Sequence, residues 1–315
     1  MKFDWPFLKQ RLEKGWLAVS LGENRARFAH VEPGPRPKVH FLTEASWEPE
    51  QPKTLEKVAK ELHAQRFRCT TVLRPQEFKL LLVEAPNVKR EELKAAVRWR
   101  IKDMIDYHVD DATIDVLDVP AGAEDTGRPR SMYVVATRAD TVQKMIERFD
   151  GARLALGVID IPDTAQRNVA ALFETKGRGV LTLSFDEEGG LVTMTADGEL
   201  YVSRRLEFSL AQLEGANDEV RGQMLDRALV EVQRSLDHFE RSHRAVALEK
   251  VLVAPMAQGE ALVGHLAANL YLPVASMRLE DVMDMPREYS ESSPDAQASW
   301  LRLIGAGLRV EEAVL

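Results

Sequence analysis

Twice in this chain, three strand-like runs follow one another with only turn residues between them. The first set is WLAVSLGENRARFAHVE with PKVHFLTEASWE, beginning at Trp16; the second is GVLTLSFDEEGGLVTMTADGELYVSRRLEF, beginning at Gly179. Gly22 to Asn24 in the first set, and the EEGG and ADGE quartets in the second, supply the reversals that join antiparallel neighbours. A meander of this kind has an apolar face that it cannot bury alone, so helices and further strands must follow each copy.

They do. After the first meander, PKTLEKVAKELHAQ places Leu55, Val58, Ala59 and Leu62 on one helical face, and RCTTVL returns as a strand. The second meander leads into DEVRGQMLDRALVEVQRSLDHFERSH, whose apolar face carries Met224, Leu225, Ala228, Leu229, Val232, Leu236 and Phe239. A strand in LEKVLVAP, a helix in GEALVGHLAANL, a strand in LPVASMRL and a closing helix in SPDAQASWLRLIGAGLRVEE complete the chain. Two sets of elements in the same order, without obvious sequence identity, predict a duplicated α/β architecture. Between them, LALGVIDIPD reads as a strand and TAQRNVAALFE as a helix with Asp163 or Thr164 as N-cap.

The first set is interrupted. LLLVEAP is a strand, NVKREELKAAVRWRIKDMID an amphipathic helix with Leu93, Ala96, Val97, Ile101, Met104 and Ile105 on one face, and YHVDDATIDVLDV a returning strand. Trp99 falls outside that stripe, on a side shared with Lys102 and Asp103. AGAEDTGRPRS has the composition of an exposed loop, and SMYVVATRA and DTVQKMIERFDGA add a strand and a helix. Together these make a compact insertion of small-domain size.

With 315 residues the chain exceeds the size of a usual single core, so more than one domain is expected. A formal charge of -8 argues against nucleic acid as a partner, because neutralising phosphates takes an excess of Lys and Arg. One cysteine, Cys69, allows no internal disulfide, and the seven histidines show no pair at helical metal-ligand spacing. No apolar run reaches the ~18 residues of a membrane helix, and no signal-peptide core is visible, so the expected location is the cytoplasm. Phe3, Trp5 and Phe7, mixed with Lys2 and Lys9, form an aromatic-basic start whose rings are expected to pack on the domain; the competing reading is contact with a membrane interface. No nucleophile elbow, Walker A loop or metalloprotease helix is present, and the Asp110-Asp111 and Glu187-Glu188 pairs sit in turn contexts where they serve structure rather than acid/base chemistry.

Three segments carry a resemblance. ELKAAVRWRIKDMIDYHVDDATIDVL from Glu92, EVQRSLDHFERS from Glu231 and WLRLIGAGLR from Trp300 are similar to the PilM family of type IV pilus assembly proteins, and within it to the MshI branch serving pili of the mannose-sensitive haemagglutinin (MSHA) type. The similarity spans most of the chain after Trp16 and is most specific in the first segment. It implies an α/β, actin-like (ribonuclease H-like) two-lobed fold similar to FtsA, with a small α+β insertion subdomain in the first lobe. The expected division is an N-terminal segment 1–16, a first lobe of 17–78 with 157–178, an inserted subdomain 79–156 and a second lobe 179–315.

In actin-like ATPases each lobe opens with a hairpin that wraps the nucleotide phosphates and offers an acidic residue to the metal. Here Ser20 and Ser184 stand where the family places aspartates, and Gly22, Glu23, Asn24 and Arg25 fill the first loop. Asp186 is near, yet is expected to point along a different part of the strand or turn. VLVAPMAQGEAL lacks the paired glycines that admit the adenosine. The resemblance thus implies a degenerate nucleotide cleft of Ser20, Gly22, Glu23, Asn24, Arg25 and Ser184, no resident cofactor, ATP and Mg disfavoured, and no enzyme activity.

The family's proteins resemble cytoplasmic adaptors that hold the cytoplasmic N-terminal peptide of an inner-membrane protein, PilN, in a groove between the first subdomain and the inserted one. The implied partner is a PilN- or MshJ-like peptide, and membrane association is indirect, through that partner. Arg98, Trp99, Lys102 and Asp103 are the candidate contacts, since an off-core aromatic among charges has the composition of an interaction hot spot. Packing of Trp99 on a neighbouring subdomain is the competing reading. The expected function is a non-enzymatic scaffold of pilus assembly; the alternatives are an ATP-binding switch in the same machinery and, more distantly, a polymerising subunit.

Overall fold

A strand flanked on both edges and covered on both faces has no polar side to show, and the central strands of two sheets in this chain meet that condition. Trp16–Leu21 (β1) buries its first four residues, and Arg178–Asp186 (β9) buries seven of nine. Each is the centre of a five-stranded sheet in the computed structural model, which describes residues 12–48, 52–120 and 130–310.

In the first sheet β1 pairs antiparallel with Arg25–Glu32 (β2), which pairs with Lys38–Ser46 (β3). On its other side β1 runs parallel to Arg68–Val72 (β4), reached through the helix Pro52–Glu61 (α1), and β4 runs parallel to Ala155–Asp160 (β8). The second sheet repeats this plan. Gly189–Ala196 (β10) and Glu199–Leu206 (β11) complete its meander, and Ala247–Val253 (β12) and Val274–Ser276 (β13) extend it in parallel, giving the order β11-β10-β9-β12-β13 against β3-β2-β1-β4-β8. Asp197 and Gly198 both have positive φ, 50° and 76°, the backbone that a tight two-residue hairpin demands. The crossovers are Leu210–Gly215 (α5) with the long Asp218–Ser242 (α6), then Gly259–Asn269 (α7).

The inserted unit is a separate antiparallel sheet, Phe78–Glu84 (β5), Ala112–Asp118 (β6) and Ser131–Arg138 (β7), in the order β5-β7-β6. The helix Leu93–Ile101 (α2) covers one face, burying Val97 and Ile101 against Ile114, Met132 and Val134. This helix is half the length its periodicity predicts. It ends at Ile101 because the chain folds back, so that Ile105, Tyr107 and Val109 reach the same core from a turn, while Met104 is left 43% exposed. The Arg98 guanidinium fixes the return by donating to the carbonyls of Val109 at 2.6 Å and Ala112 at 3.4 Å.

Three boundaries differ from the sequence expectation. Ala139–Gly151 (α3), assigned to the insertion, packs Met145 and Phe149 into the first lobe's core beside Leu55 and Ala59, and β8 joins the first sheet from Ala155, two residues early. The helix Pro162–Ala170 (α4) starts with Ile161 as N-cap and Pro162 at its first position. Asp163 and Thr164, the expected caps, turn instead to Arg205 and Asp160. The third difference is the largest. After the short Arg287–Ser290 (α8), the C-terminal helix Pro294–Gly307 (α9) packs on α4 and on β1, β2 and β4 of the first sheet, while α4 packs on β9 to β11 of the second. The two lobes have exchanged helices, so 179–315 is not a self-contained lobe. Ala18 and Val31 from one sheet, Val180 and Leu252 from the other, and Ala165, Val169 and Ile304 from the helices share one core. Of the N-terminal segment, residues 1–11 lie outside the described residues, as does most of the loop read in AGAEDTGRPRS.

Candidate functional site

The β1-β2 and β9-β10 hairpins face one another where the lobes meet, and the cleft between them encloses about 450 Å³. In the first hairpin the Gly22 N–H donates to the Arg25 carbonyl at 2.9 Å, closing the turn on itself. The buried Trp47 holds it from behind: its indole N–H donates to the Gly22 carbonyl at 2.8 Å and its backbone N–H to the Asn24 carbonyl at 3.1 Å. In the second hairpin one oxygen of Asp186 accepts the Glu188 N–H at 2.9 Å, and the other pairs with Arg302 of α9. Arg302 is 8% exposed and donates also to the Gly189 carbonyl. At the third corner, in the loop after β12, Asp295 accepts the Ala257 N–H at 2.6 Å.

One ion pair crosses the mouth, and two others brace its arginine side. Arg27 donates to Glu44 of its own sheet and to Glu187 of the opposite lobe, both at 2.9 Å, and Arg25 reaches the same Glu44 at 2.6 Å. Burial works against the charge on Arg27, but its bonds to Glu187 and Glu44 outweigh burial and raise its pKa; burial likewise works against Glu44, whose pKa the Arg27 contact nevertheless lowers. On the far side of the lobes Arg36 clamps the 280–284 loop, donating to Asp284 at 2.7 Å and to the Glu280 carbonyl at 2.9 Å.

A Mg-triphosphate needs free N–H donors, an excess of positive charge and a carboxylate available to the metal. The N–H groups of Gly22, Glu188 and Ala257 are bonded within the protein. Six carboxylates (Glu23, Glu77, Asp186, Glu187, Glu188 and Asp295) line the cleft against four guanidiniums (Arg27, Arg74, Arg148 and Arg302), a balance that repels a triphosphate. Asp186, the best placed of them for a metal, is neutralised by Arg302. The residues present do not fit the group.

Of the residues singled out in sequence, the fold brings Ser20, Gly22 and Glu23 together in the cleft wall. The Asn24 carbonyl accepts the Trp47 N–H while the residue itself is exposed, Arg25 is drawn to Glu44, and Ser184 is buried, bonded to Gln166 of α4. Asp186, expected to point elsewhere, lies in the cleft: it shares the side of Ser184 by the two-residue period, and emerges where β9 passes the end of α4's cover. Arg302 was legible as a lone charge within the apolar run WLRLIGAGL; its partner was not.

On the insertion, Trp99 is 72% exposed. Lys102 and Asp103 are exposed beside it, whereas Arg98 is committed to the Val109 and Ala112 carbonyls. The four candidates are therefore one internal clamp and three surface residues.

No family model matches the sequence, and no curated protein matches it significantly. Solved structures do. A chain of the PilM-PilN type IV pilus biogenesis complex aligns with a TM-score of 0.69 at 19% identity, covering 95% of this chain and 100% of that one. A Bacteroides thetaiotaomicron protein with an actin-like ATPase fold and unknown function gives 0.49 at 10% identity, over 91% and 95% of the two chains. The cytoplasmic domain of EpsL, an inner membrane component of the Vibrio cholerae type II secretion system, gives 0.45 at 15% identity, over 66% and 77%. The first of these likenesses, with the two matching sheet orders, shows the fold: an actin-like, two-lobed α/β fold with a small inserted subdomain.

Proposed function

We propose that this chain is a PilM-like adaptor of type IV pilus assembly, of the MSHA type, which holds the cytoplasmic N-terminal peptide of a PilN- or MshJ-like inner-membrane partner and hydrolyses no ATP. The observation that carries this is the likeness to a chain of the PilM-PilN complex, which runs nearly the whole length of the protein and so takes in the inserted subdomain as well as the lobes. The MSHA assignment rests on the segment from Glu92 to Leu117. The absence of hydrolysis is argued from the cleft's bonded N–H groups and its excess of carboxylate. Among the described residues no helix is long and apolar enough to cross a membrane, and the adaptor reading places the protein in the cytoplasm, against the inner membrane through its partner.

Trp99 is the proposed anchor, since a large ring left 72% exposed on a small subdomain is the kind of group that a partner covers. Trp99→Ala is expected to weaken capture of the N-terminal peptide of the adjacent inner-membrane assembly protein about tenfold, ~1.4 kcal/mol, with the melting temperature unchanged. Undiminished capture would remove Trp99 from the site. Calorimetric titration with Mg-ATP is expected to be silent; saturable, magnesium-dependent heat would establish the switch reading instead.

A further inference from the structure

A second concavity, about 500 Å³, lies where the inserted sheet meets β11. Each sheet here ends in an unpaired strand: β11 is outermost in the second sheet and β5 in the inserted one. At one end the gap is already bridged. The Tyr133 hydroxyl donates to the Tyr201 carbonyl at 3.3 Å and accepts the Ser203 N–H at 3.1 Å, so these backbone groups point away from β10. By the two-residue period the N–H and carbonyl of Arg205 point the same way, into the groove. Tyr133 thus takes the place of one step of a neighbouring strand, and among the described residues the next step along β11 is open.

The floor and wall differ in chemistry. Phe78, Leu80 and Leu82 of β5 form an apolar floor on which Leu82 is 47% exposed. The wall is basic, with Lys79, Arg204, Arg205 and His238, in a chain whose formal charge is -8. One carboxylate, Asp163, also lines the groove, and it is 1% exposed and paired with Arg205. Among the described residues Lys79 and Arg204 have loose partners at half-open positions, Asp106 at 3.4 Å and Glu231 at 3.9 Å. Pairs of that kind are weak enough for an incoming carboxylate to replace.

We infer that this groove is a docking site for an extended segment of another chain with alternating apolar and acidic side chains, which adds as a strand to the free edge of β11. Backbone bonds from the Arg205 edge hold the segment, Leu80 and Leu82 take its apolar side chains, and Lys79 with Arg204 takes its carboxylates. The site is separate from the Trp99 surface and stands or falls independently of the pilus reading.

The test uses the full chain and a fluorescein-labelled peptide of alternating Leu and Glu, followed by anisotropy. Saturable binding is expected, lost at least tenfold in the double variant Lys79→Glu, Arg204→Glu, and lost equally when alternate peptide amides are N-methylated. If the double variant lowers the melting temperature, Leu82→Asp at its half-exposed position repeats the test with the same expected loss. The inference is overturned by no saturation, by equal binding of the corresponding Leu-Lys peptide, by indifference to N-methylation, or by an unchanged affinity in the variants. It is also overturned if sedimentation shows that the groove is closed by a second copy of this chain, which the peptide does not displace.

Discussion

The interlobe cleft and the β5-β11 groove enclose similar volumes, about 450 and 500 Å³, yet they are opposites in what they leave unsatisfied. Across the cleft, Asp186 with Arg302, Arg27 with Glu187, and Asp295 with the Ala257 N–H meet the needs of their own chain. Along the groove a strand edge runs on beyond the single Tyr133 bridge, above exposed leucine. Volume alone does not make a site; a ligand is recognised by the groups that still lack partners. In this chain the charged groups at the corners of the cleft are paired across it, whereas β11 is an outermost strand.

The strongest way to break that contrast is to reopen the cleft. Arg302→Met leaves Asp186 without its cation in a largely buried position, and breaking such a pair from one side is expected to cost about 3 kcal/mol, read as a lower urea midpoint. The double variant Arg302→Met, Asp186→Asn is expected to recover most of that loss. If the single variant is as stable as the parent, the cleft is held by something other than this pair. Next in size is Gly305, whose missing Cβ lies only 2.1 Å from the Ala165 carbonyl where α9 crosses α4. Gly305→Ala gains about 1 kcal/mol of helix propensity but overpacks the crossing by about 3 kcal/mol, a net loss near 2 kcal/mol. Because that crossing joins the lobes, limited proteolysis should also accelerate; a more stable variant would show that the helices part without strain.

The reach of the sequence follows from which forces are local. The two meanders, their turns and the order of the helices were legible, since alternation and turn residues act within a few positions, and both sheets form where the pattern placed them. Trp99 was legible as off-core by the same reasoning, and it is exposed. What stayed hidden depends on distance in sequence. The exchange of α4 and α9 between lobes leaves no periodic trace, because each helix is apolar whichever sheet it covers. The pairing of Asp186 with Arg302, and the turning of Asp163 from helix cap to partner of Arg205, are likewise decided only when the lobes meet. The shortening of α2 came from Arg98 capturing the carbonyls of Val109 and Ala112, against an unbroken helical stripe.

A smaller effect tests whether the cleft's mouth is a latch or a decoration. The Arg27-Glu187 pair joins the lobes, but Glu187 is 74% exposed, so water and salt screen it. A double-mutant cycle of Arg27→Ala and Glu187→Gln is expected to give a coupling of about 0.5 kcal/mol that fades by 0.5 M salt. A coupling of several kcal/mol would mean that the pair, rather than the buried Arg302, governs closure.

The smallest effect separates the two concavities by pH. In the cleft, burial works against the charge on Glu44 but the Arg27 contact keeps its pKa below its ordinary value, so Glu44 holds its charge to lower pH than a free carboxylate does. In the groove, burial lowers the pKa of His238, and the charges of Arg204 and Arg241 lower it further. In the unfolded chain this imidazole takes up its proton near pH ~6.5, whereas in the fold it does so only at lower pH. Its contribution to stability is therefore present above that value and is lost as pH falls towards the folded pKa. A bound carboxylate acts in the opposite direction, favouring the protonated ring, so binding of the Leu-Glu peptide draws in a proton and tightens on acidification. The expected gain from pH 7.5 to 5.5 is about twofold, ~0.4 kcal/mol, absent in His238→Gln. Affinity that weakens over this range, or a gain that survives His238→Gln, would place the acidic side chains away from His238 and leave their contacts to Lys79 and Arg204.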